Sequence, residues 1–146
     1  MVQTRPRHVI TYTMQRVRSK DTASELTLRR ALWHRGLRFT LHQATLPGHP
    51  DIVFSRAKLA VFVDGDFWHG NQWRLRGLER LEDQFRDSEN SEYWIRKISR
   101  NVIRDRESTT ALEESGWRVI RVWESDIKRD LSGCVDRIER EVLNRA

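Results

Sequence analysis

At 146 residues the chain can bury about two-thirds of its unfolded surface around one core, which leaves little room for a second. Lys and Arg outnumber Asp and Glu by 27 to 21, a net charge of +6 that favours a polyanionic partner. A single cysteine, Cys134, excludes an internal disulfide and a thiolate-rich zinc site, and no apolar run approaches the roughly 20 residues of a membrane span, so an intracellular protein is expected.

Residues 1–20 carry Arg5, Arg7, Arg16, Arg18 and Lys20 with no acid, and lack the apolar core of a secretory signal. Two readings fit: a solvated basic arm, or an arm that orders on a nucleic-acid backbone. Thr22 or Ser24 can cap a helix running to about Arg35, with Leu28 and Leu32 on one face and Gly36 as the stop. Glu25 falls in its first turn, where a carboxylate is favoured by the helix dipole alone. Leu37–His42 alternates apolar and polar residues and predicts a first strand.

The central stretch runs LPGHPDIVFSRAKLAVFVDGDFWHG. Its β-branched and aromatic runs predict strands at Asp51–Phe54 and Leu59–Val63, joined by a bend at Ser55–Lys58. Paired antiparallel strands lie about 5 Å apart. The start of the first therefore sits beside the end of the second, and Asp51 and Asp64 can face one pocket with His69 close by. Carboxylates beside an imidazole suit a hard divalent cation and a general base. Further on, Gly70–Trp73 reads as loop, and Leu75, Leu78, Leu81 and Phe85 as a short amphipathic helix. Glu92–Ser115 is the longest helical pattern. It has a buried stripe of Trp94, Ile98, Val102 and Leu112, and a basic side of Arg96, Lys97, Arg100, Arg104 and Arg106 suited to phosphate contact. Trp117–Trp123 predicts an interior strand. A short helix, a break near Ser132–Gly133 and a last helix on Val135, Ile138 and Val142 follow, with Cys134 as an inert core thiol. The order predicts an α/β domain with a mixed sheet over residues 21–146, preceded by the arm. His8, His34, His42 and His49 show no metal-binding spacing; surface or structural roles are expected, with His49 open because of its nearness to Asp51.

Five segments, MQRVRSKDTASE, LPGHPDIVF, VFVDGDFWHG, YWIRKISRNVIRDR and GWRVIRVWE, follow one another between Met14 and Glu124. Together they resemble the very short patch repair endonuclease family, strand-nicking DNA mismatch enzymes with a restriction-endonuclease-like core of a central mixed β-sheet flanked by helices. The resemblance implies a Mg²⁺-dependent nick in duplex DNA 5′ of the thymine of a T:G mispair. It implies Asp51 and the Val63 backbone carbonyl as metal ligands, and His69 as the group that activates water. Glu25 and Asp105 then act from the outer shell. Asp64 stands where some members have histidine, and is expected to bind the cation or its waters. Phe67, Trp68 and Trp94 match aromatics that wedge into the base stack, and Met14 matches a residue inserted from the opposite groove. The other reading of Phe67 and Trp68 is that they close the core. Arg18, Lys20, Lys97, Arg100, Asn101 and Arg104 complete the expected DNA contacts.

Members of that family often hold a structural zinc. The matching positions here are Asp66, Asn71, Trp73 and Ser125, a poor ligand set, so no zinc is expected and apolar packing through Trp73 is the anticipated substitute. The implied partners are T:G-containing DNA, mismatch-repair proteins and a cytosine-5 methyltransferase. A monomer in the bacterial cytoplasm, at the nucleoid, is expected. Two alternatives stay open: a nuclease for modified or foreign DNA, and a catalytically silent DNA-binding module.

Overall fold

Thr22 starts the first helix, α1 (Ala23–His34): its hydroxyl accepts from the Glu25 N–H at 3.2 Å, which satisfies one of the open donors of the first turn. The structure, a computed structural model, describes residues 22–144. The basic arm, with Met14, Arg18 and Lys20, lies outside the described residues. Leu28 and Leu32 of α1 are completely buried, as their spacing predicts.

The predicted first strand is much shorter than Leu37–His42: β1 is Thr40–Leu41. Leu37 N–H turns back to the Leu32 carbonyl and finishes the helix, while His42 takes a φ of +50° and leaves the extended region. Leu37 and Phe39 still pack inward, but Leu41 is exposed. The central hairpin forms as expected from β2 (Ile52–Phe54) and β3 (Leu59–Asp64), antiparallel with Phe54 opposite Leu59. Asp51 lies one residue before β2, yet its N–H still reaches the Val61 carbonyl at 3.0 Å. The last strand, β4 (Arg118–Trp123), joins β3 in parallel and makes a mixed sheet in the order β1-β2-β3-β4.

The two faces of that sheet differ. Leu59, Val61, Ile120 and Val122 point into the larger core with Leu28 and Leu32 of α1, the short α5 (Glu124–Arg129) and α6 (Leu131–Leu143). The alternate residues Ala60, Phe62 and Val119 face Leu112 of α4 (Ser91–Glu114). Period-two alternation then places Asp64 and Arg121 on the α4 side, which is where the chemistry gathers. The basic residues of α4 are where they were predicted, with Arg96, Arg100, Arg104 and Arg106 exposed and Lys97 half-buried.

Two boundaries differ from expectation. The predicted Gly70–Trp73 loop and Leu75–Phe85 helix are instead two single turns, α2 (Gln72–Leu75) and α3 (Leu81–Gln84). Leu78 N–H bonds back to the Trp73 carbonyl at 2.9 Å with Gly77 at φ +74°, so the first turn closes before the second begins. Leu75 is consequently exposed and only Phe85 of that set is buried. The break expected at Ser132–Gly133 falls at Asp130, whose carboxylate accepts from the Gly133 N–H at 3.0 Å and draws residues 132 and 133 into the first turn of α6. Cys134 is buried in the larger core. Among the described residues no helix is long and apolar enough to cross a membrane.

Candidate active site

A polar cleft of about 720 Å³ opens at the end of β3, between the start of α1 and the middle of α4. Glu25, Asp51, Val63, Asp64, His69 and Asp105 all line it. Two glycines bring its rim together. A Cβ on Gly48 would stand 2.8 Å from Ser108, and one on Gly70 2.9 Å from Val102; both residues have positive φ, so other residues would push the turn and the 65–72 loop off α4.

One acidic group forms where β1 meets β2. His42 N–H donates to the Asp51 carbonyl at 3.2 Å, which carries its imidazole to the carboxylates. His42 Nε2 lies 3.1 Å from Glu25 Oε1, and its Nδ1 lies 4.0 Å from Asp51 Oδ1. Glu25, only 2% exposed, also has the Arg29 guanidinium at 3.7 Å. Asp51 is pinned across the hairpin, where its Oδ2 accepts from the Val63 N–H at 2.7 Å. Burial, with the Glu25 and Asp64 charges adding to it against the Val63 hydrogen bond, pushes the Asp51 carboxyl up to about 6. One donor atom from each of Glu25, His42 and Asp51 lies within 4.8 Å of the other two.

The second group is Asp64, His69 and Asp105, again within 4.8 Å of one another. Asp105, on α4, meets His69 Nδ1 at 2.6 Å, and Asp64 Oδ1 lies 3.7 Å from the same nitrogen. Burial pulls the His69 imidazole down, but the Asp105 hydrogen bond and the two carboxylate charges outweigh it, and the ring titrates above its ordinary range. Both oxygens of Asp64 also accept from Arg121 Nη1, at 3.1 Å each. Burial still holds the Asp64 carboxyl above the usual range, against the opposing His69 and Arg121 charges. Asp51 and Asp64 therefore share the cleft, as expected, but belong to different clusters. A further acid on the rim, Glu124, is raised by burial.

The positions matched to the family zinc site are joined by hydrogen bonds around Asp66. Its Oδ1 accepts from Asn71 Nδ2 at 2.8 Å and from the Ser125 hydroxyl at 2.6 Å, and its Oδ2 accepts from the Ser125 N–H at 3.0 Å. The Asp66 carbonyl takes the N–H groups of Asn71 and Gln72. Polar bonds, more than the anticipated apolar packing, thus tie the His69 loop to the start of α5. Trp73 is only half-buried, with the Arg74 guanidinium 4.7 Å above its ring. Replacing Asp66 by alanine leaves those donors without their acceptor and is expected to cost about 1–3 kcal/mol in urea unfolding, with Ser125→Ala costing less.

The aromatic residues are folded on one another. Trp68 is 5% exposed and Phe67 half-buried; Trp94 packs 5.5 Å from Phe67 and 5.7 Å from Trp68, and lies parallel to Phe85. Of the two readings of this pair, the core-closing one describes Trp68, whereas Phe67 and Trp94 keep accessible surface. Asn101, expected as a DNA contact, donates its amide to the Trp68 carbonyl at 3.0 Å and holds this loop. Arg104 lines the cleft itself.

His42 and Arg121 escaped the reading of the sequence. A lone histidine at a strand end carries no spacing signal, and only the β1–β2 register brings it to Asp51. Arg121 had a signal: it is a charge inside an apolar strand, at the parity of Val119 and opposite that of Ile120 and Val122.

Comparison with known proteins agrees with this site. The family model described as DNA mismatch endonuclease Vsr matches residues 6–75. The chain is similar to Type II nicking enzyme V.XorIIP of Xanthomonas oryzae pv. oryzae, 41% identical over 133 residues, covering 91% of this chain and 90% of the relative. It is 39% identical to Type II nicking enzyme V.NmeDIP of Neisseria meningitidis serogroup C, over 90% of this chain and 84% of the relative. With DNA mismatch endonuclease Vsr of Escherichia coli it shares 36% identity, over 79% and 69% respectively.

Proposed function

We propose, from the premise that the chain belongs to the DNA mismatch endonuclease Vsr family and is a DNA-nicking hydrolase, that it nicks one strand of duplex DNA 5′ of the thymine of a T:G mispair, using Mg²⁺. The observation that carries the reading is the pairing of two groups in one cleft: a carboxylate cluster with a strained protonation balance, and a histidine already oriented by a carboxylate.

The first group fits a cation. Asp51 is held near 6 because it is buried among other carboxylates, and a divalent ion relieves that crowding. Asp51, Glu25 and the Val63 backbone carbonyl would hold it, with His42 adjoining. When bound, the ion supplies charge stabilisation at the phosphate and a more acidic water. Oxygen donors favour Mg²⁺. Asp64, expected to share the ion, has both oxygens engaged by Arg121 and acts on His69 instead.

His69 is the general base. Its Nδ1 is fixed on Asp105, which leaves Nε2 as the nitrogen that takes a proton from attacking water, and the Asp105 charge stabilises the imidazolium that results. Arg100, Arg104 and Lys97 on α4, with Arg18 and Lys20 of the arm, supply phosphate contacts. Phe67 and Trp94 supply the wedge, with Met14 entering from the other groove and Trp68 supporting them from beneath. Unstacking costs least beside a mispair, which gives mismatch preference a source without base-edge reading. T:G mispairs arise where 5-methylcytosine deaminates, so a cytosine-5 methyltransferase and mismatch-repair proteins are the fitting companions of a monomer working at the bacterial nucleoid.

Duplexes of one sequence, carrying T:G, T:A or a matched pair with 5-methylcytosine, separate the readings. The nick is expected in the thymine strand of the T:G duplex. Preferential cutting of the matched, modified duplex would assign the chain to a nuclease of modified DNA. Binding without cutting of any of them would make it a DNA-binding module.

A further inference from the structure

We infer that Arg121 is a fixed cation standing in place of a second metal ion, so that the cleft of the free protein takes one divalent ion, at Glu25–His42–Asp51. This rests on reading that cluster as the cation site. The two acidic groups look alike in composition, since each has two carboxylates and one imidazole. They differ in what faces them. Guanidinium Nη1 of Arg121 donates to both oxygens of Asp64 and lies 3.6 Å from Asp105 Oδ1. One permanent positive charge therefore sits between both carboxylates of the second group. The only guanidinium recorded near the first group is Arg29, 3.7 Å from Glu25 on the next turn of the same helix and on the side away from His42's contact with Asp51.

Arg121 is also built in. Its Nε donates to the Thr109 hydroxyl at 3.0 Å and its Nη2 to the Asp105 carbonyl at 3.2 Å. Its guanidinium carbon lies 3.9 Å from the centre of the Phe62 ring. All three nitrogens are thus bonded to the protein, and the planar group is held by α4 on one side and β3 on the other. A guanidinium does not deprotonate in a protein and binds carboxylates as a fork, so it can replace a metal's charge without being titrated or exchanged. Arranged in this way it holds Asp64 and Asp105 around His69 and is a positioning residue, not a group that touches substrate.

The test is the number of Mn²⁺ ions bound by the full chain without DNA, read by the loss of free-ion signal in electron paramagnetic resonance and by calorimetry. Wild type is expected to bind one. Arg121→Gln is expected to bind two, because the exposed Asp64–His69–Asp105 group becomes a second site, whereas Arg121→Lys keeps the charge and stays at one. Asp51→Ala, with Arg121 intact, is expected to bind none. Circular dichroism checks each fold. Should Arg121→Gln fail to fold, wild type and Asp51→Ala decide the matter. Two ions on wild type, one on Arg121→Gln, or one retained by Asp51→Ala would each overturn the inference. The T:G duplex assay is independent of these counts: its failure with the counts intact removes the mismatch reading and leaves Arg121 in place.

Discussion

Asp51→Asn is expected to lower the nicking rate on the order of 10³-fold or more while leaving DNA affinity within about twofold of wild type. Asparagine keeps an oxygen for the Val63 N–H, so the hairpin stays closed. What disappears is the charge that a cation and the transition state require. The same substitution is expected to stabilise the metal-free protein. The Asp51 carboxyl is raised from its ordinary 3.8 to about 6 by folding, so the folded state binds more protons than the unfolded one. Stability from this group is then greatest below 3.8 and falls as pH rises through 6, a difference of about 3 kcal/mol at neutral pH. Asp51→Asn should therefore melt higher than wild type at pH 7.5 without metal, and the gap should close toward pH 4. Added Mg²⁺ should raise wild type and leave the variant unmoved. A variant less stable than wild type at pH 7.5 would contradict the picture of an uncompensated buried acid.

The second large effect belongs to His69. His69→Gln is expected to lose about 10²–10⁴-fold in single-turnover rate, the usual contribution of a positioned base. Two protons must leave before the site works, one from Asp51 near 6 and one from His69 above its ordinary value. The rate should rise with pH through both, with the logarithm approaching a slope of about two on the acid side. Asp105→Asn removes the hydrogen bond and charge that lift His69, leaving burial to lower it. The histidine limb should move to lower pH while the plateau rate falls. A plateau that falls with the limb unmoved would place Asp105 in the fold alone.

Much of this was legible because it depends on short sequence distances. The 51–64 hairpin, the α1 cap at Thr22 and the long α4 stripe are written in alternation, capping and period. The resemblance added Glu25 and Asp105, which no spacing could bring to His69. What stayed hidden depends on partners far along the chain. His42 becomes a neighbour of Asp51 only through a two-residue strand and a left-handed backbone turn. Asp64 looked like a free carboxylate until β3 and β4 were paired with Phe62 opposite Arg121, one step along the ladder. The Asp66 hydrogen bonds span residues 66 to 125, and the two single-turn helices depend on Gly77 and on the Leu78–Trp73 bond more than on apolar spacing.

A T:G duplex labelled separately on each strand, incubated with wild type in Mg²⁺ or in EDTA beside its T:A twin, bears most directly on the whole account. A single break 5′ of the thymine, in that strand alone, dependent on Mg²⁺ and absent from T:A, is the predicted result. Equal cutting of both duplexes, breaks in both strands, or cutting that persists in EDTA would contradict it.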